Sequence, residues 1–111
     1  MKKKIIYSLQ EKKLGENRIV QINESFERLM RKLGARVVNS SYILSEGRPT
    51  EAYGYYVFTG WGIVKTILDS KYSECNLSVN FIGFDREIES YNKLKMYIED
   101  TLKKVMLYSE N

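Results

Sequence analysis

A chain of 111 residues, 43% apolar and 29% charged, is long enough for one domain around a single core, and this composition excludes intrinsic disorder. It contains no histidine and one cysteine, Cys75, which removes the usual proton shuttle near neutral pH, the commonest metal ligand and any internal disulfide. The net charge of +4 is lopsided, because residues 1–50 carry eleven Lys or Arg against five Asp or Glu while residues 51–111 carry seven against nine, and such asymmetry can orient a domain toward an anionic partner.

The basic start "MKKKIIYSLQ" imitates the opening of a secretion signal, but its apolar stretch stops at Leu9 and "QEKK" follows. No apolar run approaches the roughly 18 residues that span a bilayer. A cytoplasmic protein with no membrane contact is therefore expected. Within "KKKIIYSLQ", Ile5, Tyr7 and Leu9 fall on one side at period two, the pattern of a half-buried strand. "KLGEN" then turns the chain. From about Asn17 to Leu33 the apolar positions are Ile19, Ile22, Phe26, Leu29, Met30 and Leu33, a single helical stripe. Asn17 or Asn23 is placed to cap its start and Gly34 to end it. Glu24 with Arg28 and Glu27 with Arg31 have the spacing of surface ion pairs.

"ARVVNSSYILS" reads as a strand with Val38, Tyr42 and Leu44 on one side, and "EGRPT" has the composition of a hairpin loop. The aromatic stretch "EAYGYYVFTGWG" follows. In "GIVKTILDSKY" the apolar spacing suits a short helix and the β-branched residues suit a strand. A strand is expected, since a glycine-flanked hairpin is the simplest way out of residues 52–59. "NLSVNFIGF" alternates, with Leu77, Val79 and Phe81 against Ser78 and Asn80. Asp85 then precedes a long helix over about 86–108, striped by Ile88, Tyr91, Leu94, Ile98, Leu102, Val105 and Tyr108. The predicted fold is α+β in the order β-α-β-β-β-β-α: an antiparallel sheet of four to five strands, with both helices on one face and the C-terminal helix long. In order alone this resembles the half-repeat of TATA-box-binding proteins and helix-grip folds, a likeness that licenses no function.

Alternation divides the aromatic stretch between two faces. Gly54, Tyr56, Phe58 and Gly60 are expected under the helices, with the glycines leaving room for a helix to approach. Tyr53, Tyr55 and Trp61 are expected on the opposite face, beside Ser78, Asn80, Asn39 and Ser41. Three explanations fit such a face: a plain half-exposed sheet, an interface with another protein, or a platform on which nucleobases stack.

No glycine-rich phosphate loop, CxxC pair or GxSxG elbow occurs. The carboxylates Glu87, Glu89, Glu99 and Asp100 read as solvated helix charges. No catalytic residues, metal ligands or cofactors are assigned, and the chain is expected not to be an enzyme. Arg48 in "EGRPTE" is the isolated cation best suited to fork onto phosphate, and Lys2, Lys3, Lys4, Lys12 and Lys13 form the densest basic cluster. The first functional expectation is a binding protein that takes an anionic ligand, nucleic acid or nucleotide, through Tyr53, Tyr55, Trp61, Arg48, Lys12 and Lys13. The second is a homodimeric protein-interaction module, an inhibitor or adaptor that buries this face or the outer stripe of the long helix. Size and the Lys, Ile, Asn and Tyr bias suit an accessory protein of a virus or mobile element.

Overall fold

The computed structural model describes residues 2–10, 18–71, 74–84, 88–105 and 107–110. Strand β1 (Lys2–Gln10) leads to helix α1 (Arg18–Lys32), then β2 (Arg36–Ser45), β3 (Arg48–Phe58), β4 (Gly62–Lys71), β5 (Glu74–Gly83), helix α2 (Ile88–Val105) and the short β6 (Leu107–Glu110). The strands form one antiparallel sheet in the order β2-β3-β4-β5-β1-β6. The expected α+β architecture and element order hold, and residues 62–71 are a strand. A sixth strand is added at the end: the C-terminal helix stops at Val105 and the chain returns to pair with β1. That places Tyr108 in a strand opposite Leu9 and not in the helix stripe. The helix of 18 residues spans about 27 Å at 1.5 Å per residue.

Both helices lie on the same face. Ile19, Ile22, Phe26 and Met30 of α1 and Tyr91, Leu94, Ile98 and Leu102 of α2 are buried against Ile5, Tyr7 and Leu9, Ala52, Tyr56 and Phe58, Val64 and Leu68, and Leu77, Val79 and Phe81. The inward positions recur at every second residue on four strands, so one alternating pattern sets the whole inner face. Gly34 ends α1 with φ +94°. Its amide donates to the Arg31 carbonyl at 3.0 Å and the Ala35 amide to the Met30 carbonyl at 2.9 Å, the paired bonds of a left-handed helix stop.

Three local expectations are corrected. Asn23 does not start a helix; it sits inside α1, buried, and its Nδ2 donates to Ser40 Oγ at 3.0 Å, tying the helix to β2. Asn17 and Asp85 lie outside the described residues. Gly54 makes room for a side chain of its own strand: a Cβ there would lie 2.5 Å from Tyr56 Cε2 and would also meet Thr66 Oγ1. Tyr56 is fully buried across that gap, its ring 5.7 Å from Phe26 of α1. Gly60 is not an inward position. It has φ +81° in the turn between β3 and β4, with nothing near its missing Cβ.

Of the expected ion pairs, Glu27 and Arg31 meet at 3.7 Å, and Arg28 donates to Ser25 Oγ at 3.2 Å. Gly54→Ala is expected to destabilise the fold by about 1–3 kcal/mol, because the added methyl must displace a buried ring. Urea unfolding with an unchanged midpoint would show that a Cβ at position 54 is accommodated beside Tyr56 and that the close contact does not require glycine.

Candidate functional site

Among the described residues no helix covers the outer face of the sheet, and the strand registers arrange its side chains in four rows across β2, β3, β4, β5 and β1. Arg36, Val57, Ile63, Ile82 and Lys2 form the first row. Asn39, Tyr55, Lys65, Asn80 and Lys4 form the second. Ser41, Tyr53, Ile67, Ser78 and Ile6 form the third, and Ile43, Glu51, Asp69, Asn76 and Ser8 the fourth. Each row is two residues from the next, about 6.6 Å along the strands, and strands lie about 4.8 Å apart. The first two rows therefore gather Arg36, Lys2, Lys65 and Lys4, while the fourth carries Glu51 and Asp69 side by side. The face is an electrostatic gradient with aromatic rings in the middle.

Tyr53 and Tyr55 both lie on this open face, half-buried between neighbouring strands, as their alternation requires. Their surroundings differ. The Tyr53 hydroxyl donates to Glu51 Oε2. That bond, with desolvation and the Glu51 and Asp69 charges, pushes the phenol above its ordinary value of 10.0. Tyr53 thus belongs to the acidic end. Tyr55 belongs to the basic end: Lys65 Nζ stands over its ring, 5.1 Å from the centroid, a cation held by the ring's negative face. At the acidic end, Asp69 Oδ1 and, one row away, Ser78 Oγ are enclosed without a hydrogen-bond partner among the described residues. An enclosed carboxylate oxygen favours donors and repels anions, whereas the serine hydroxyl can donate or accept.

The other expected site residues are not brought to this face. Trp61 turns the other way from the hairpin connecting β3 and β4. Its ring stacks on Phe58 at 5.9 Å with an interplanar angle of 8°. Phe58 meets Phe84 edge-on, Phe84 meets Phe81, and Phe81 meets Tyr91 at 4.8 Å. Trp61 therefore caps an aromatic ladder at the edge of the core, and Lys3 covers the other end, 4.9 Å over Tyr91. Phe84 holds this ladder in place with φ +63° and lies over Gly62, where a Cβ would meet its ring at 2.6 Å. Arg48 is exposed at the tip of the β2–β3 hairpin, seven residues and about 23 Å along β3 from Tyr55. Lys12 and Lys13 lie outside the described residues.

No family model matches the chain, and no curated protein matches it either.

Sequence reasoning missed Lys65 and Arg36. The signal for Lys65 was present: once the turn sits at residues 59–61, Phe58 faces Gly62, and the same register brings Tyr55 opposite Lys65. The basic start divides by alternation, with Lys2 and Lys4 on the open face and Lys3 toward the helices. Glu99 is not a solvated helix charge. It accepts from the buried Tyr7 hydroxyl at 3.3 Å and pairs with Lys95 at 3.4 Å. Glu87, and the side chain of Glu89, lie outside the described residues.

Among the described residues no group of three or more Cys, Asp or Glu is arranged to hold a metal, and no helix is long and apolar enough to cross a membrane. Cys75 is buried, and burial, its largest influence, pushes the thiol up from 9.0 to about 11. A thiol so shifted stays protonated near neutral pH and is a poor nucleophile. A raised folded-state value contributes stability below the unfolded value that is lost as pH rises, here between about 9 and about 11. Native protein at pH 8 is expected to react with a thiol-disulfide reagent far more slowly than urea-unfolded protein. Equal rates would show that Cys75 is accessible.

Proposed function

We propose that this is a small non-catalytic binding protein whose open sheet face takes an anionic ligand, single-stranded nucleic acid or a nucleotide, at its basic end. The carrying observation is the row Tyr55–Lys65–Asn80–Lys4, which sets an aromatic ring, an amide and two ammonium groups side by side on an uncovered surface. Arg36 and Lys2 flank it in the adjoining row. A base stacks on the Tyr55 ring while the flexible Lys65 ammonium swings to the neighbouring phosphate. Asn80 supplies both a donor and an acceptor to a base edge. Lys4 lies about 14 Å from Tyr55 across three strand spacings, within reach of the phosphates of a bound strand. Tyr53, bonded to a carboxylate, contributes ring surface and no site for negative charge.

The contrast between the two ends gives this reading a direction. Phosphates are attracted by Arg36, Lys2, Lys65 and Lys4 and repelled by Glu51 and Asp69, so a strand tracks the first two rows and avoids the fourth. Arg48 has no part in it. The self-association reading, which would bury this same face or the outer stripe of α2, competes with it for the sheet surface.

Fluorescence-anisotropy titration of single-stranded and duplex oligonucleotides at two salt concentrations tests the platform. Tyr55→Ala is expected to weaken single-strand binding by about 1–3 kcal/mol. Lys65→Ala and Lys4→Ala each lower the salt slope by about 1, and Arg48→Ala leaves binding unchanged. Binding that is absent, insensitive to salt, or indifferent to Tyr55→Ala overturns the reading.

A further inference from the structure

The open face carries opposite charges toward its two ends, with Arg36, Lys2, Lys65 and Lys4 in the first two rows and Glu51 and Asp69 in the fourth. The row between them, from Ser41 through Tyr53, Ile67 and Ser78 to Ile6, holds no charge. Its isoleucines are open to solvent, Ile67 at 40% and Ile6 at 37% exposure. A surface ordered cation, apolar, carboxylate along its strands is complementary to itself once a second copy is turned end over end. The order is cleanest on β4, the middle of the five strands that form the rows. There Lys65, Ile67 and Asp69 stand at every second position, and β4 pairs with both neighbours without a register shift. All three side chains therefore belong to the same, outer face.

We infer that this face closes on the same face of a second copy, about a two-fold axis that runs across the strands above Ile67. The rotation lays β4 antiparallel over β4 of the second copy. Lys65 comes opposite the partner's Asp69, the symmetry repeats that pair, and Ile67 meets the partner's Ile67. The same axis sets Ile6 against the partner's Ile6 and Tyr55 against the partner's Glu51. Sheets packed face to face lie about 10 Å apart, a gap that an extended lysine and an aspartate close between them. An axis along the strands would instead lay each basic row on its own copy, cation on cation. Charge thus selects both the occupant and its orientation.

Size sets the strength. The four rows and five strands span about 20 Å in each direction, and with the side chains at the rim they cover about 600 Å² per copy. A total of about 1,200 Å² is the lower limit for stable interfaces, which gives a dimer that dissociates on dilution. The row Tyr55–Lys65–Asn80–Lys4 lies inside the contact, so a second copy and a bound nucleic-acid strand exclude each other. Ligand binding is then coupled to dissociation, because the ligand favours the monomer alone. That coupling rests on the proposed function, whereas the dimer itself does not.

Sedimentation equilibrium of the free protein at tens of micromolar and low salt is expected to show a dimer that weakens as salt is added. Ile67→Lys sets two ammonium groups against each other on the axis. It is expected to give a monomer with a nearly unchanged melting temperature, since the side chain it replaces is exposed. Lys65→Asp and Asp69→Lys are each expected to raise the dissociation constant about tenfold, because both symmetric pairs become repulsive. The double variant restores opposite charges and is expected to recover the dimer. A short oligothymidylate is expected to convert the wild-type dimer into one-to-one complexes. A wild-type monomer overturns the inference, and so does a dimer that survives both Ile67→Lys and Lys65→Asp, since its contact then lies on another surface. An oligothymidylate that binds while the protein stays dimeric overturns the shared face. One that does not bind sinks the proposed function, and the mass of the free protein still decides the dimer.

Discussion

The structure depends on one constraint: both helices cover the same side of the sheet. A strand in such an arrangement must sort its side chains by parity, and five strands in register do so together. The inner set is large and apolar. It closes on α1 through Phe26 and Tyr56 and on α2 through Phe81 and Tyr91. Few polar groups intrude; Asn23 is tied to Ser40 and Tyr7 to Glu99, while the Tyr91 hydroxyl is enclosed without a hydrogen-bond partner among the described residues. The outer set is then left to solvent, whatever chemistry it carries.

That outer set is not a uniform polar surface. Cations gather at the end bounded by Arg36 and Lys2, and carboxylates at the end bounded by Glu51 and Asp69, within a few rows of one another. Between them lie two tyrosines whose hydrogen-bonding and charge environments diverge. The ring contact of Lys65 with Tyr55 and the hydroxyl bond of Tyr53 to Glu51 divide the face more sharply than the spacing of the two rings does. A one-sided sheet also leaves an edge, and here β2 exposes Val38, Tyr42, Ile43 and Leu44 along it, with Arg36 at its start. The open face and the open edge are consequences of the same layering, and they adjoin at Asn39 and Ser41, which belong to both.

Several features follow from local sequence alone. The period-two runs of residues 5–9 and 77–81 and the helical stripes of residues 19–33 and 91–105 need no distant partner to be recognised, because amphipathic periodicity is a local property. Alternation likewise placed Tyr53 and Tyr55 opposite Phe58. The aromatic stretch from Tyr53 to Trp61 also shows where local reasoning ends. Parity holds only while the chain remains a strand, so it failed at Gly60 and Trp61, where the turn begins and the indole swings round onto Phe58.

The sequence by itself determined the β-α-β-β-β-β-α order up to the short final strand, the α+β class, the inward-facing residues of β1 and β5 and the absence of histidine chemistry, since each is set by residue type and short-range periodicity. Only the tertiary structure decided which strands neighbour one another. That pairing brings Lys4 and Lys65, 61 positions apart in the chain, into one row with Tyr55. It also leaves β2 at the edge and sends Arg48 to a distant tip. Strand order is fixed by contacts between residues far apart in sequence, and their energies are not written in any one segment.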